Sequence, residues 1–173
     1  MLLPQPDAQR FIAGYKAVLL EVLSASGKKR SNDIVGDLAA ARSYAKQNAV
    51  VLANAIDAIQ ARGEQLDEDV AKAVRSLRVG QWFHIHHTTK YALLLDAATE
   101  NAYAVKALTN PLHEIAGSRC VTFEAGVLDY RSQYVCDAII SQPIHLGPGV
   151  RVDLKEAYAR IKAAGRFHVR AEV

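Results

Sequence analysis

The hydrophobic period of the chain first changes at Gly80. Before it, apolar residues recur every three or four positions, the spacing of a helix that buries one stripe. After it they alternate, the spacing of a strand with one covered face. A chain that switches period there and does not switch back for sixty residues cannot alternate helix and strand in a parallel α/β order. It predicts an α+β fold. The expected parts are an N-terminal helical hairpin plus a short helix in region 1–79, then a small antiparallel β-sheet or barrel with a C-terminal helix in region 80–173.

In the first region, Asp7 is placed to cap a helix whose stripe is Phe11, Tyr15, Val18 and Val22, widened by Ile12, Leu19 and Leu23. Gly27 ends it, next to Lys28, Lys29 and Arg30, which suit the negative end of the helix dipole. A second stripe runs through Leu38, Ala41, Ala45, Ala49, Leu52, Ile56 and Ile59 to Gly63. Read as one helix, about 28 residues at ~1.5 Å rise give a rod of roughly 40 Å, longer than a small domain is wide. Its overhang would seek a partner subunit; a kink near Gly36 or Asn48 would instead keep it within one monomer. A third helix follows Asp67, with an acidic first turn and Arg75 and Arg78 at its end.

In the second region, segments 82–87, 91–96, 102–108, 119–128 and 133–140 read as strands. The last two form a hairpin around Asp129-Tyr130-Arg131-Ser132. Five short strands with tight turns suggest a meander or small barrel. Asp153 is positioned to cap a closing helix through Leu154, Ala157, Tyr158 and Ile161, and 167–173 is expected to add an edge strand.

The sharpest local feature is Trp82-Phe83-His84-Ile85-His86-His87, with three of the chain's six histidines. In a regular strand, His84 and His86 share one face and His87 takes the other. Two imidazoles so placed can chelate one divalent transition metal, with further ligands from Glu124, His113, His145 or Asp137. The alternative is a polar sheet face stacked on Trp82. The cupins also place His-x-His on a strand, but here the chain continues His87-Thr88-Thr89-Lys90-Tyr91 without the glutamate that their motif needs, and the likeness stops there.

Charge and cysteine content exclude some functions. The formal net charge is only +3, and residues 81–150 carry four Lys/Arg against six Asp/Glu. That balance argues against a groove tracking a phosphate backbone, although Tyr91, Tyr103, Tyr130 and Tyr134 near Arg119 and Arg131 are the residue types of a stacking platform. Cys120 and Cys136 form no CxxC pair and no disulfide framework, and they read as buried small hydrophobes. Gly147-Pro148-Gly149 reads as a β-to-α connection, because Pro148 lacks one N–H an anion would need. No signal-peptide pattern and no membrane span is visible, which predicts a cytoplasmic protein.

No GxSxG, Walker A or GxGxxG element is present. The resulting expectation is a non-catalytic interaction or assembly module that self-associates through its helices as a homo-oligomer, or binds a protein partner, without a cofactor. The alternatives are a metal-dependent enzyme or metal-binding small-molecule binder built on His84 and His86, and an RNA-associated small β-barrel protein.

Overall fold

The computed structural model describes residues 2–117 and 120–170. Four helices come first: α1 (Gln5–Ala25), α2 (Ile34–Gln47), α3 (Val50–Ala61) and α4 (Glu68–Arg75). The α1 stripe is buried through Phe11, Tyr15, Val18, Leu19, Val22 and Leu23. The helix starts before Asp7: Pro4 stands at the N-cap and Asp7 falls in the first turn, where a carboxylate suits the dipole. Asp33 and Asp67 do cap, accepting from the backbone N–H of Gly36 at 3.0 Å and of Val70 at 3.1 Å. Gly14 permits close approach of α1 and α4, since a Cβ there would lie 2.9 Å from Val70 Cγ1.

The stripe from Leu38 to Ile59 is not one rod. Asn48 leaves helical geometry at φ −137°, ψ 77° and α3 begins afresh at Val50. Asn48 supplies the reason: its side-chain amide donates to the Tyr44 carbonyl, a local bond that competes with continuing the helix. Both halves thus pack on α1, and the overhang expected of one long rod does not form.

The rest is one mixed seven-stranded sheet with two further helices. Its elements are β1 (Arg78–His87), β2 (Ala92–Asp96), β3 (Ala102–Lys106), α5 (Leu112–Ile115), β4 (Val121–Tyr130), β5 (Gln133–Cys136), β6 (Ser141–His145), α6 (Pro148–Ala163) and β7 (Phe167–His168). The long β1 pairs antiparallel with β2 on one side and β4 on the other. β2 pairs with β3, β3 with β5 in parallel, and β5 with β4. The five strands therefore close into a ring in the order β1-β2-β3-β5-β4, a small barrel with a Greek-key connection. The two-residue β4–β5 turn puts Arg131 and Ser132 at positive φ (50° and 58°), the left-handed pair that matches strand twist in a tight hairpin. β7 joins the seam beside β3, and β6 extends the sheet beyond β4. α6 starts at Pro148, five residues before the expected cap at Asp153, because proline is well suited to a first helical turn.

Trp82, Leu94, Tyr103, Val105, Val121, Phe123, Val127, Tyr134 and Cys136 fill the barrel, and Leu112 and Ala116 pack against them from α5. On one outer flank, Leu128, Tyr130, Val135 and Ile139 join the helical core of α1 to α4. On another, Ile85, Leu93 and Leu95 are covered by Leu154 and Ile161 of α6. A charged group also ties the helices to the barrel. Arg42 of α2 meets Asp137, just past β5, at 3.0 Å, and Tyr15 of α1 donates to the same carboxylate at 3.1 Å.

Candidate functional site

The histidines separate according to a β-bulge. His84 pairs with Leu94 and His86 with Leu93, so Ile85 is an extra residue in β1. Leu94 faces the barrel interior and Leu93 faces α6. Cross-strand partners share a face, so His84 points inward and His86 outward. His87, opposite Ala92, returns to the interior side. This replaces the strict period-two placement: His84 is fully buried and stacks toward His87 at 6.3 Å, and His87 stacks on His113 of α5 at 4.0 Å with rings 8° apart. His86 instead sits 6.4 Å from Tyr158 of α6. Burial lowers its pKa, and the positive charges of Lys155 and Arg151 add to that.

The other candidate ligands lie elsewhere. Glu124 faces the helices, 2.7 Å from Lys46 and 3.6 Å from Arg42, and Asp137 is held by Arg42 in the buried group. His145 ends β6 on an exposed edge. Among the described residues, no three His, Cys, Asp or Glu side chains come close enough to hold a metal ion.

A different arrangement appears on the outer wall of the barrel. A cleft of about 390 Å³ is lined by Lys90 and Tyr91 from the β1–β2 loop, Ala104 and Lys106 from β3, Arg131, Ser132 and Gln133 at the β4–β5 turn, and Val169 and Arg170 after β7. Strand alternation explains the β3 contribution: Tyr103 and Val105 point into the barrel, so Ala104 and Lys106 point out. Among the described residues, no carboxylate lines this cleft. Arg131 is neutralised by Asp7 and Asp69, which fixes it as a wall. Lys90, Lys106 and Arg170 make no ion pair among the described residues. Tyr91 is half-buried, its ring centroid 6.1 Å from that of Phe167 with the planes tilted by 55°, and it contributes to the cleft lining.

Sequence reasoning named Tyr91 and Arg131 for a stacking platform, together with Arg119, which lies outside the described residues, but it missed the cleft because the lining residues span eighty positions and form no motif. One signal was available. Three of the four Lys/Arg residues in the acidic stretch 81–150 (Lys90, Lys106 and Arg131) meet at this cleft. A net charge averages over directions, whereas a fold sorts them.

Two other depressions are less suited to a charged ligand. The one of about 600 Å³ at the α3–α4 turn includes Glu64 and Asp67 in its lining, each already near an arginine. The one of about 280 Å³ at the barrel mouth holds Arg78, whose guanidinium bonds Asp129 at 2.8 Å and covers the rings of Tyr103 and Tyr134. That group closes the mouth upon itself. Compared with known proteins, the chain matches no family model, no curated protein and no solved structure.

Proposed function

We propose that the protein is a non-catalytic binding module that takes single-stranded nucleic acid in the cleft between the β1–β2 loop, β3 and the β4–β5 turn. The observation that carries this reading is the convergence of three cations, Lys90, Lys106 and Arg170, with Tyr91 at a cleft where, among the described residues, none of the three is ion-paired and no carboxylate forms the lining. Phosphates supply the counter-charges, and an aromatic face stacks on any base without reading its sequence. The position also supports it. Five-stranded Greek-key barrels of the oligonucleotide/oligosaccharide-binding kind use the face of strands two and three with the loops one–two and four–five, and this cleft draws on the same parts. The self-association reading drew on the overhang of a single long helix, which the break at Asn48 removes.

The test is fluorescence anisotropy with a labelled 12-nucleotide oligouridine across a salt series. Binding should weaken as salt rises, with a log–log slope near −2 for about three phosphate contacts at ~0.7 each. Lys90→Gln with Lys106→Gln should flatten that slope and reduce affinity at least tenfold. A sulfated polysaccharide that binds while the oligonucleotide does not would reassign the cleft to anionic glycans. No binding of either at low salt would overturn the reading.

A further inference from the structure

A second set of cations lies outside the cleft, along α6. Arg151, Lys155 and Lys162 are spaced four and seven apart, so they share one flank of that helix. Tyr158 lies on the same side, while Asp153 and Glu156 fall on the far flank. All three cations are exposed, and none pairs with a carboxylate among the described residues. The flank faces the barrel's outer wall at His86, whose imidazole lies in the field of Lys155 and Arg151.

Between cleft and helix runs a line of half-buried rings. Tyr91, at the cleft, is 6.1 Å from Phe167; Phe167 is 5.4 Å from Tyr158; Tyr158 is 6.4 Å from His86. The ring planes turn by 55°, 89° and 71° along this line. Bases stacked in a duplex are parallel and about 3.4 Å apart, so a duplex could follow neither the spacing nor the turns. A single strand, which can unstack and rotate each base, could follow both.

We infer that a bound single strand leaves the cleft at Tyr91, crosses Phe167 and Tyr158, and continues along the Arg151–Lys155 flank of α6, so that the footprint has two halves joined by an aromatic bridge. This rests on the proposed role of the cleft as a nucleic-acid site. It assigns α6 a function that its packing on β1 and β3 alone does not require.

Length dependence tests it. A tetranucleotide can occupy the cleft only, whereas a dodecanucleotide can reach α6. With oligouridines of four and twelve residues, the wild-type chain should bind the longer one at least thirtyfold more tightly, beyond the gain from its extra binding registers. Arg151→Gln with Lys155→Gln should lower affinity for the dodecamer about tenfold, and should reduce its salt slope by about 1.4, two contacts at ~0.7 each. The tetramer should bind the variant as it binds the wild type, which also shows that the variant is folded. Unchanged dodecamer binding in this variant, or an equal loss for both lengths, would overturn the α6 track while leaving the cleft in place. If instead the Lys90/Lys106 variant binds the dodecamer normally and the Arg151/Lys155 variant does not, the cleft assignment fails and the α6 surface stands alone. Absence of binding by the wild type at either length would remove both.

Discussion

Arg42 of α2 and Asp137 beyond β5 meet at 3.0 Å with both side chains sealed from solvent, 95 positions apart in the chain. The carboxylate also accepts from Tyr15 Oη and from the backbone N–H groups of Gly126 and Ile139, at 3.1, 3.0 and 3.1 Å. Arg42 donates in turn to the Ile139 carbonyl. Burial raises the Asp137 pKa, while Arg42 and the two N–H groups pull it down, leaving it above its ordinary value. Replacing Arg42 by methionine removes the main counter-pull, so the carboxyl should rise further. A carboxyl raised in the folded state stabilises below its unfolded pKa of about 3.9, and that contribution is lost as pH rises through the folded value. Arg42→Met should therefore cost about 3–5 kcal/mol at pH 7 and distinctly less at pH 5. Urea unfolding at the two pH values, followed by the fluorescence of the single tryptophan, reads this difference. Equal losses at both would show that Asp137 is not the coupled group.

Gly126 makes this group possible. A Cβ at that position would stand 2.4 Å from Asp137 Oδ2 and 2.7 Å from Leu77 Cδ1. Leu77 is only partly buried and can turn aside, but Asp137 cannot retreat without leaving Arg42 and its backbone donors. Gly126→Ala should displace Asp137 from its backbone donors and cost about 2–4 kcal/mol, within the range for overpacking combined with a broken buried network. Thermal unfolding checks it; a loss under 1 kcal/mol would mean that the carboxylate shifts without penalty.

Much of this architecture is legible in the residues. The change of period at Gly80 marks the passage from helices to barrel, and Arg131-Ser132 marks a hairpin. Three features are not legible, each for a physical reason. Ala45 and Leu52 keep helical spacing across the break at Asn48, because α2 and α3 both bury that face against α1, with Ala49 exposed between them. The bulge at Ile85 adds one residue to a strand whose side-chain period is two, so it exchanges the faces of everything beyond it, including His86 and His87. The cleft depends on which strands become neighbours. The parallel pairing of β3 with β5 brings Lys106 beside the β4–β5 turn, and no local pattern announces a pairing between segments 29 positions apart, Val105 and Tyr134.

Cys136 offers a probe of the barrel interior. It lies among the fully buried residues at the end of β5, and burial pushes its thiol up to about 12, with the nearby Asp137 charge adding to the effect. The thiolate is the reactive form, so at pH 8 fewer than about one thiol in a thousand would be ionised even with access. In a Cys120→Ala variant, Cys136 should resist dithionitrobenzoate in the folded state and react stoichiometrically in denaturant. Its labelling rate should follow the unfolding rate across a denaturant series. Rapid native-state reaction would mean that the barrel seam near β5 opens without global unfolding.

His86 reports on the α6 flank directly. Its pKa is held below the usual 6.5 by burial first, then by Lys155 and Arg151. The neutral ring is therefore favoured by folding, and the associated stability, present above the unfolded pKa, is lost as pH falls through the depressed folded value. Lys155→Gln removes a repelling charge and should move the His86 titration upward, which proton–carbon correlation NMR of the imidazole resolves. A phosphate placed between Lys155 and Arg151 should act in the same direction, because it screens both cations and favours the imidazolium. Adding dodecauridine should thus raise the His86 pKa, and adding tetrauridine, confined to the cleft, should leave it in place. If the short oligonucleotide moves His86 as far as the long one does, the effect comes from the cleft through the aromatic line, and α6 carries no phosphate.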